Sequence, residues 1–306
     1  MNITPIEKIL NDWPLWQDIC DNKPNLDKLT PLVDGLTNSN WLLEITNEQT
    51  TETQQYVIRI NATNNLALKL NRQAEWDMHQ SISGYGICPP FLYRDPNDIY
   101  WIRPFLKTHT LETTISQNKD FISSDFLKVI TQHFKTIHNS PISNTWPTID
   151  YPELIDHYWQ QIALEQQNTI DENKREPAEK QKNKLDSIKE ILQLKLKGYS
   201  YTQCLCHMDP NPSNWILDQE ELHLIDWEYA ALGNPAWDLA VFTDTCNLNQ
   251  EQIHTLLNYY QAIDPHQLHL ARAQMKYLSI LWFTVQGHLT DSELLEQLKT
   301  LKDNLT

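Results

Sequence analysis

Glycine is scarce in this chain. Six of its 306 residues are glycine: Gly35, Gly84, Gly86, Gly198, Gly233 and Gly287. That is about 2%, where roughly 7% is usual. None falls in a G-x-G-x-x-G arrangement and none precedes a lysine. A Walker A loop and a dinucleotide fingerprint are therefore excluded, because both need glycine where backbone meets phosphate. Basic charge is also short, with 24 Lys and Arg against 40 Asp and Glu, a net charge of −16. Nucleic acid and anionic membrane are thus poor partners, since both are bound through clustered Lys and Arg. The field favours small cations. Cysteine is sparse, odd in number at five, and without a C-x-x-C pair, which argues against a disulfide framework or a zinc site. The longest apolar run, Leu278–Val285, is far below the ~20 residues of a membrane span. The first residues carry neither a basic region nor an apolar stretch of signal-peptide length, so the expected location is cytoplasmic.

Aromatic residues, by contrast, are plentiful. The chain has 11 Trp and 12 Tyr and is 40% hydrophobic, a globular composition sufficient for one domain or two lobes. Apolar positions Ile6, Ile9, Leu10, Trp13, Trp16 and Ile19 have helical spacing. Leu29–Leu32, Trp41–Ile45 and Tyr56–Ile60 read as an antiparallel meander, followed by a helix over 66–82. Two short strands fall within 87–106, split by the turn Asp95-Pro96-Asn97-Asp98. Beyond that the pattern is mainly helical: 121–137, 151–167, 185–196 and 236–302, with breaks at Asp264-Pro265 and near Gly287. Short strands return over 200–229. The mixed-charge run 171–184 reads as a solvated loop and helix start. The expected fold class is α+β and bilobal. A small antiparallel β-sheet lobe over 1–103 precedes a larger helical lobe over 104–306.

One segment carries chemistry. His207-Met208-Asp209 is followed by Asn214, and Asp226 comes twelve residues later at the end of an apolar strand. Pro210 and Pro212 make 208–214 a loop. Asp209 is then a carboxylate able to accept a hydroxyl proton. Asn214 offers an amide oxygen and Asp226 an anionic one, both hard ligands suited to Mg²⁺. Together they form the part list of kinase-type phosphoryl transfer. Upstream, strand alternation sets Arg59 opposite Ile58 and Ile60, where a cation can hold phosphates. Glu75 on the following helix is positioned to pair with it. The turn 34–40, with Gly35, Thr37, Asn38 and Ser39, lies where a phosphate-covering loop belongs and offers hydroxyl, amide and backbone donors.

These residues resemble the choline/ethanolamine kinase branch of the aminoglycoside phosphotransferase-like kinases. The resemblance is carried by Leu224-Ile225-Asp226-Trp227-Glu228-Tyr229-Ala230, by Pro235-Ala236-Trp237-Asp238-Leu239-Ala240, and by Pro31-Leu32 with Gly35-Leu36-Thr37-Asn38. His207-Met208-Asp209 with Asn214 is also similar to bacterial thiamine kinase. The motifs run from about residue 31 to 240. The resemblance implies a protein-kinase-like fold, with ATP and Mg²⁺ in a cleft between lobes and adenine against a hinge around 101–106. It makes Asp209 the catalytic base, with Asn214 and Asp226 as Mg²⁺ ligands. Arg59 becomes the phosphate cation oriented by Glu75. His207 and Asp238 brace the catalytic loop, and Glu228 touches a second metal or the substrate.

The acceptor is expected to be a small-molecule alcohol. The negative net charge and the C-terminal aromatics Tyr229, Trp237 and Trp282 favour a cationic one, because aromatic faces bind quaternary ammonium groups. Choline and ethanolamine come first, and thiamine or an aminoglycoside or amino sugar are the alternatives. A catalytically inactive nucleotide-binding module is the alternative of another class. The intact set Arg59, Glu75, Asp209, Asn214 and Asp226 argues against it.

Overall fold

The computed structural model describes residues 5–19, 29–32, 37–46, 52–62, 67–107, 109–168, 188, 190–192, 195, 200–218 and 221–305. Gly35, the charged run 171–184 and most of the helix expected over 185–196 lie outside the described residues. The chain clusters into two units. The first comprises Met1–Asn65, Trp76–His109 and Ile216–Ile225; the second comprises Leu66–Glu75, Thr110–Trp215 and Asp226–Thr306.

The first unit is a twisted antiparallel sheet with a short helical cover. Its strands are β1 (Leu29–Pro31), β2 (Ser39–Thr46), β3 (Thr53–Ile60), β4 (Tyr93–Arg94) and β5 (Tyr100–Pro104), in the order β1-β2-β3-β5-β4. The expected meander is thus present, and alternation along its strands builds one core face. Leu43, Ile45, Tyr56, Ile58, Tyr100 and Ile102 pack there against Ile9 of α1 (Pro5–Asn11) and Trp16 of α2 (Trp13–Trp16). The helix expected over 66–82 begins only at Arg72, as α3 (Arg72–Ser83). Lys69 has φ 55°, a left-handed conformation through which a right-handed helix cannot run.

The second unit is helical. Its helices are α4 (Leu111–Gln117), α5 (Ser124–His138), α6 (Tyr151–Asn168), α7 (Pro235–Thr245), α8 (Gln250–Tyr260), α9 (Pro265–Val285) and α10 (Asp291–Leu305). α5 buries Leu127, Ile130, Phe134 and Ile137 on one stripe, the period that marked it in the sequence. α9 packs against α6, α7 and α10. Reciprocal side-chain caps, Asn249 with Gln252 and Asp264 with Gln267, start α8 and α9. No described helix is long and apolar enough to cross a membrane.

A short ladder in this unit sets the site. β6 (Cys204–Cys206) runs antiparallel to β9 (Ala231–Gly233), pairing Cys204 with Gly233 and Cys206 with Ala231. Gly233 shows why glycine is spent here. A Cβ at this position would lie 2.6 Å from one ring carbon of Trp237 and 2.9 Å from another. Trp237 cannot retreat, because it is 1% exposed and its indole N–H donates to Gln274 Oε1 at 2.9 Å. Gly233→Ala is therefore expected to cost about 1–3 kcal/mol by overpacking. A urea melt checks this, and an unchanged midpoint would show that the ring yields.

Candidate active site

β6 delivers the chain into the loop 207–214, and β9 receives it from 226–230. Their pairing places these two stretches side by side. The rings of His207 and Trp227 meet edge to face, 4.7 Å between centroids, and both residues are buried. The strand expected to end at Asp226 is β8 (Glu221–Leu224), which pairs with β7 (Trp215–Asp218). Asp226 follows two residues beyond it with φ 67°.

Asp238, in the first turn of α7, holds the loop from beneath. Its Oδ2 accepts the N–H of His207 at 2.9 Å and its Oδ1 accepts the N–H of Met208 at 2.8 Å. Met208 has φ 71°. Non-glycine residues in this region cost on the order of 1–3 kcal/mol and persist where surroundings dictate them. Here the two bonds to a fully buried carboxylate dictate the turn. The N–H of Asp209 then donates to His207 Nδ1 at 3.3 Å. His207 and Asp238 thus brace the loop through the backbone.

Asp209 sits at the apex with both oxygens engaged. Asn211 Nδ2 donates to Oδ1 at 2.9 Å, and Asn214 Nδ2 donates to Oδ2 at 3.1 Å and to the Asp209 carbonyl at 2.9 Å. Burial pushes the Asp209 carboxyl up to about 6, and the charges of Glu228 and Asp238 add to the rise. The two amide donors oppose it. A carboxylate so placed remains ionised at neutral pH and is far more basic than an exposed one.

Asn214 closes a short 3₁₀ turn, Pro212–Asn214, capped by the Asn211 side chain on the N–H of Ser213 at 3.0 Å. Asn214 commits its Nδ2 to Asp209, which leaves its Oδ1 as the amide atom able to act as a ligand. An amide oxygen and the Asp226 carboxylate are hard donors that fit Mg²⁺.

Arg72 was not singled out in the sequence. Its Nη1 lies 2.9 Å from Glu75 Oε2 and 3.1 Å from Glu228 Oε2, with side-chain exposures of 5%, 1% and 2% for Arg72, Glu75 and Glu228. Glu75, the residue expected to orient Arg59, is bonded by Arg72. Glu228, expected to touch a second metal or the substrate, has the Arg72 guanidinium as one partner. The only hint was an Arg three residues before Glu75, a spacing that puts both on one helix face.

The aromatic candidates separate. Trp282 Nε1–H donates to Tyr229 Oη at 2.8 Å, and the two half-buried rings stand perpendicular, 6.3 Å apart. Trp237 is a packing residue beneath Gly233 and beside Tyr151. In the first unit, Arg59 is 5% exposed, with its guanidinium 4.5 Å from the Trp101 ring centroid and 5.5 Å from that of Phe91. Its Nε donates to Asn61 Oδ1 at 3.0 Å. Asn38 is buried and its Oδ1 accepts the N–H of Ala62 at 3.1 Å, while Thr37 is half-buried and Ser39 exposed.

The choline/ethanolamine kinase family model matches residues 29–278. A LicA homologue of Mycoplasma capricolum is 24% identical over 216 residues, covering 71% of this chain and 78% of that protein. Choline kinase LicA of Streptococcus pneumoniae superposes with a TM-score of 0.73 at 19% identity over 99% of both chains. Aminoglycoside 2'-phosphotransferase-IIIa, solved as its GDP complex, gives 0.64 at 16% identity, covering 99% of this chain and 100% of that one. Both structures share the protein-kinase-like fold expected from the sequence.

Proposed function

Because the chain belongs to the choline/ethanolamine kinase family, we propose that it passes the γ-phosphoryl group of ATP to the primary hydroxyl of choline or ethanolamine. The family makes it a nucleotide-binding phosphotransferase with a small-molecule alcohol as acceptor. The observation that carries the mechanism is Asp209, raised to about 6 on a loop fixed by Asp238. Asp209 accepts the proton of the acceptor hydroxyl. The hydroxyl oxygen bonds to the γ-phosphorus as the bond from that phosphorus to the bridging oxygen breaks, and ADP carries away the electron pair. Asn214 and Asp226 would hold Mg²⁺, which when bound neutralises charge on the phosphates. In the first unit, Arg59 supplies a cation for phosphate, placed over the Trp101 ring and bonded to Asn61, and Thr37 and Ser39 offer hydroxyls. Rate comes chiefly from positioning and charge neutralisation, as in other phosphoryl transfers.

A cationic acceptor is supported by Tyr229 and Trp282. Their perpendicular rings offer two π surfaces joined by one hydrogen bond, an arrangement that suits an ammonium head group. The test is an ATP-consumption screen over choline, ethanolamine, thiamine and aminoglycosides. Choline or ethanolamine should give the highest kcat/KM. A higher value for thiamine or an aminoglycoside would overturn the substrate assignment. Consumption of none of them would leave the chain as a nucleotide-binding module.

A further inference from the structure

His138, the last residue of α5, is built into the support of the catalytic loop. Its Nε2 lies 3.0 Å from Asp238 Oδ2, and its Nδ1 lies 2.8 Å from the hydroxyl of Tyr260, the last residue of α8. A carboxylate accepts and does not donate, so the bond to Asp238 places a proton on Nε2. The side chains of His138 and Asp238 are 3% and 0% exposed. Phe134, one turn earlier on α5, stacks on the imidazole at 5.8 Å and 17°. The ring is therefore fixed by a face and by both of its nitrogens.

Asp238 needs such a partner. Its two oxygens must present themselves to two consecutive N–H groups, of His207 and Met208. A rotation of the carboxylate about its Cβ–Cγ bond would lose one of those bonds and release the left-handed turn at Met208. The third bond, from His138 to Oδ2, opposes this rotation. We infer that His138 is a positioning residue: through Asp238 it sets the turn that aims Asp209. This rests on the reading of Asp209 as base.

Cys204 and Cys206 lie beside His138, with all three ligand-type atoms within 4.8 Å of one another. This cluster is packing rather than a metal centre. Both imidazole nitrogens are already bonded, and burial holds the Cys206 thiol well above its ordinary range, which opposes the thiolate that a metal requires.

The experiment compares His138→Leu, His138→Gln and Tyr260→Phe with the parent enzyme, using the preferred alcohol and saturating Mg²⁺. His138→Leu keeps volume and removes the donor. It is expected to lower kcat roughly 10–100-fold with both KM values within about two-fold, the scale on which lost supporting contacts act. His138→Gln retains an N–H for Asp238 and should recover most of that loss. Tyr260→Phe should show a smaller loss of the same kind. A folded His138→Leu enzyme with parental kcat, or a glutamine variant no better than leucine, overturns the inference. If His138→Leu gives no cooperative melt, the glutamine and Tyr260→Phe enzymes carry the test, and parental kcat in Tyr260→Phe with an inactive glutamine variant also counts against it. Asp209→Asn is run alongside. Were it active, the base assignment would fall, whereas the His138 comparison would still report whether Asp238 controls turnover.

Discussion

Asp209→Asn is expected to lower kcat by about a thousand-fold while leaving ATP affinity almost unchanged, since a positioned base contributes roughly 10²–10⁴. The asparagine keeps the volume but presents an amide nitrogen to one of the two amide donors, Asn211 or Asn214. Asp209→Ala, which cannot make that clash, should show the same loss. Turnover within ten-fold of the parent in both variants would remove Asp209 as the base. The parent enzyme should show its acid limb near pH 6, because burial raises Asp209 from its ordinary 3.8 to about 6. Below that pH the base is protonated and kcat/KM falls by one power of ten per pH unit. Folding responds with the opposite sign to an ordinary paired carboxylate. The native state binds the extra proton between about 3.8 and about 6, so this group's contribution to stability declines as pH rises through that window. A limb near 4 would show an unburied carboxylate and contradict the packing.

How much of this was legible from the sequence depended on distance along the chain. Asp209 and Asn214 share one loop, and the apolar strand before Asp226 announces its own end, so local spacing made them candidates. The meander and α5 followed from alternation and from the 3.6-residue period. Arg72 and Glu228 are 156 residues apart, and His138 and Asp238 are 100 apart. No local pattern links such pairs. Arg72, His138 and Asp238 sit in helices and Glu228 in a turn, and nothing in its own neighbourhood points from any of them to its distant partner. Trp237 shows a related limit. An aromatic in a motif segment reads equally as substrate contact or core, and the packing of the ring against Gly233 is visible only in three dimensions. α4 was missed because its sequence, Leu-Glu-Thr-Thr-Ile-Ser-Gln, is rich in β-branched residues of low helix propensity. The Thr110 side chain, accepting from the N–H of Thr113, starts it regardless.

Arg72 carries the second large expected effect. One guanidinium serves two buried carboxylates, Glu75 and Glu228, so its removal leaves both without this cation. Deleting one partner of a buried ion pair costs about 3–5 kcal/mol, far more than a surface pair is worth. Arg72→Met should therefore fall at that scale in a urea melt. Combining it with Glu228→Gln should recover part of the loss, because the double variant buries one carboxylate charge fewer after the Arg72 cation is removed. Arg72→Lys should land between, since a compact ammonium lacks the guanidinium's fork. The same change has a catalytic signature. The Glu228 charge already raises the Asp209 carboxyl, and Arg72 offsets that charge at 3.1 Å. With Arg72 gone the repulsion grows, so the acid limb of Arg72→Met should move above pH 6, and Glu228→Gln should bring it back down. A melt midpoint and an acid limb both unchanged in Arg72→Met would show that the triad neither holds the fold nor tunes the base. A lower midpoint with an unmoved limb would confine Arg72 to stability.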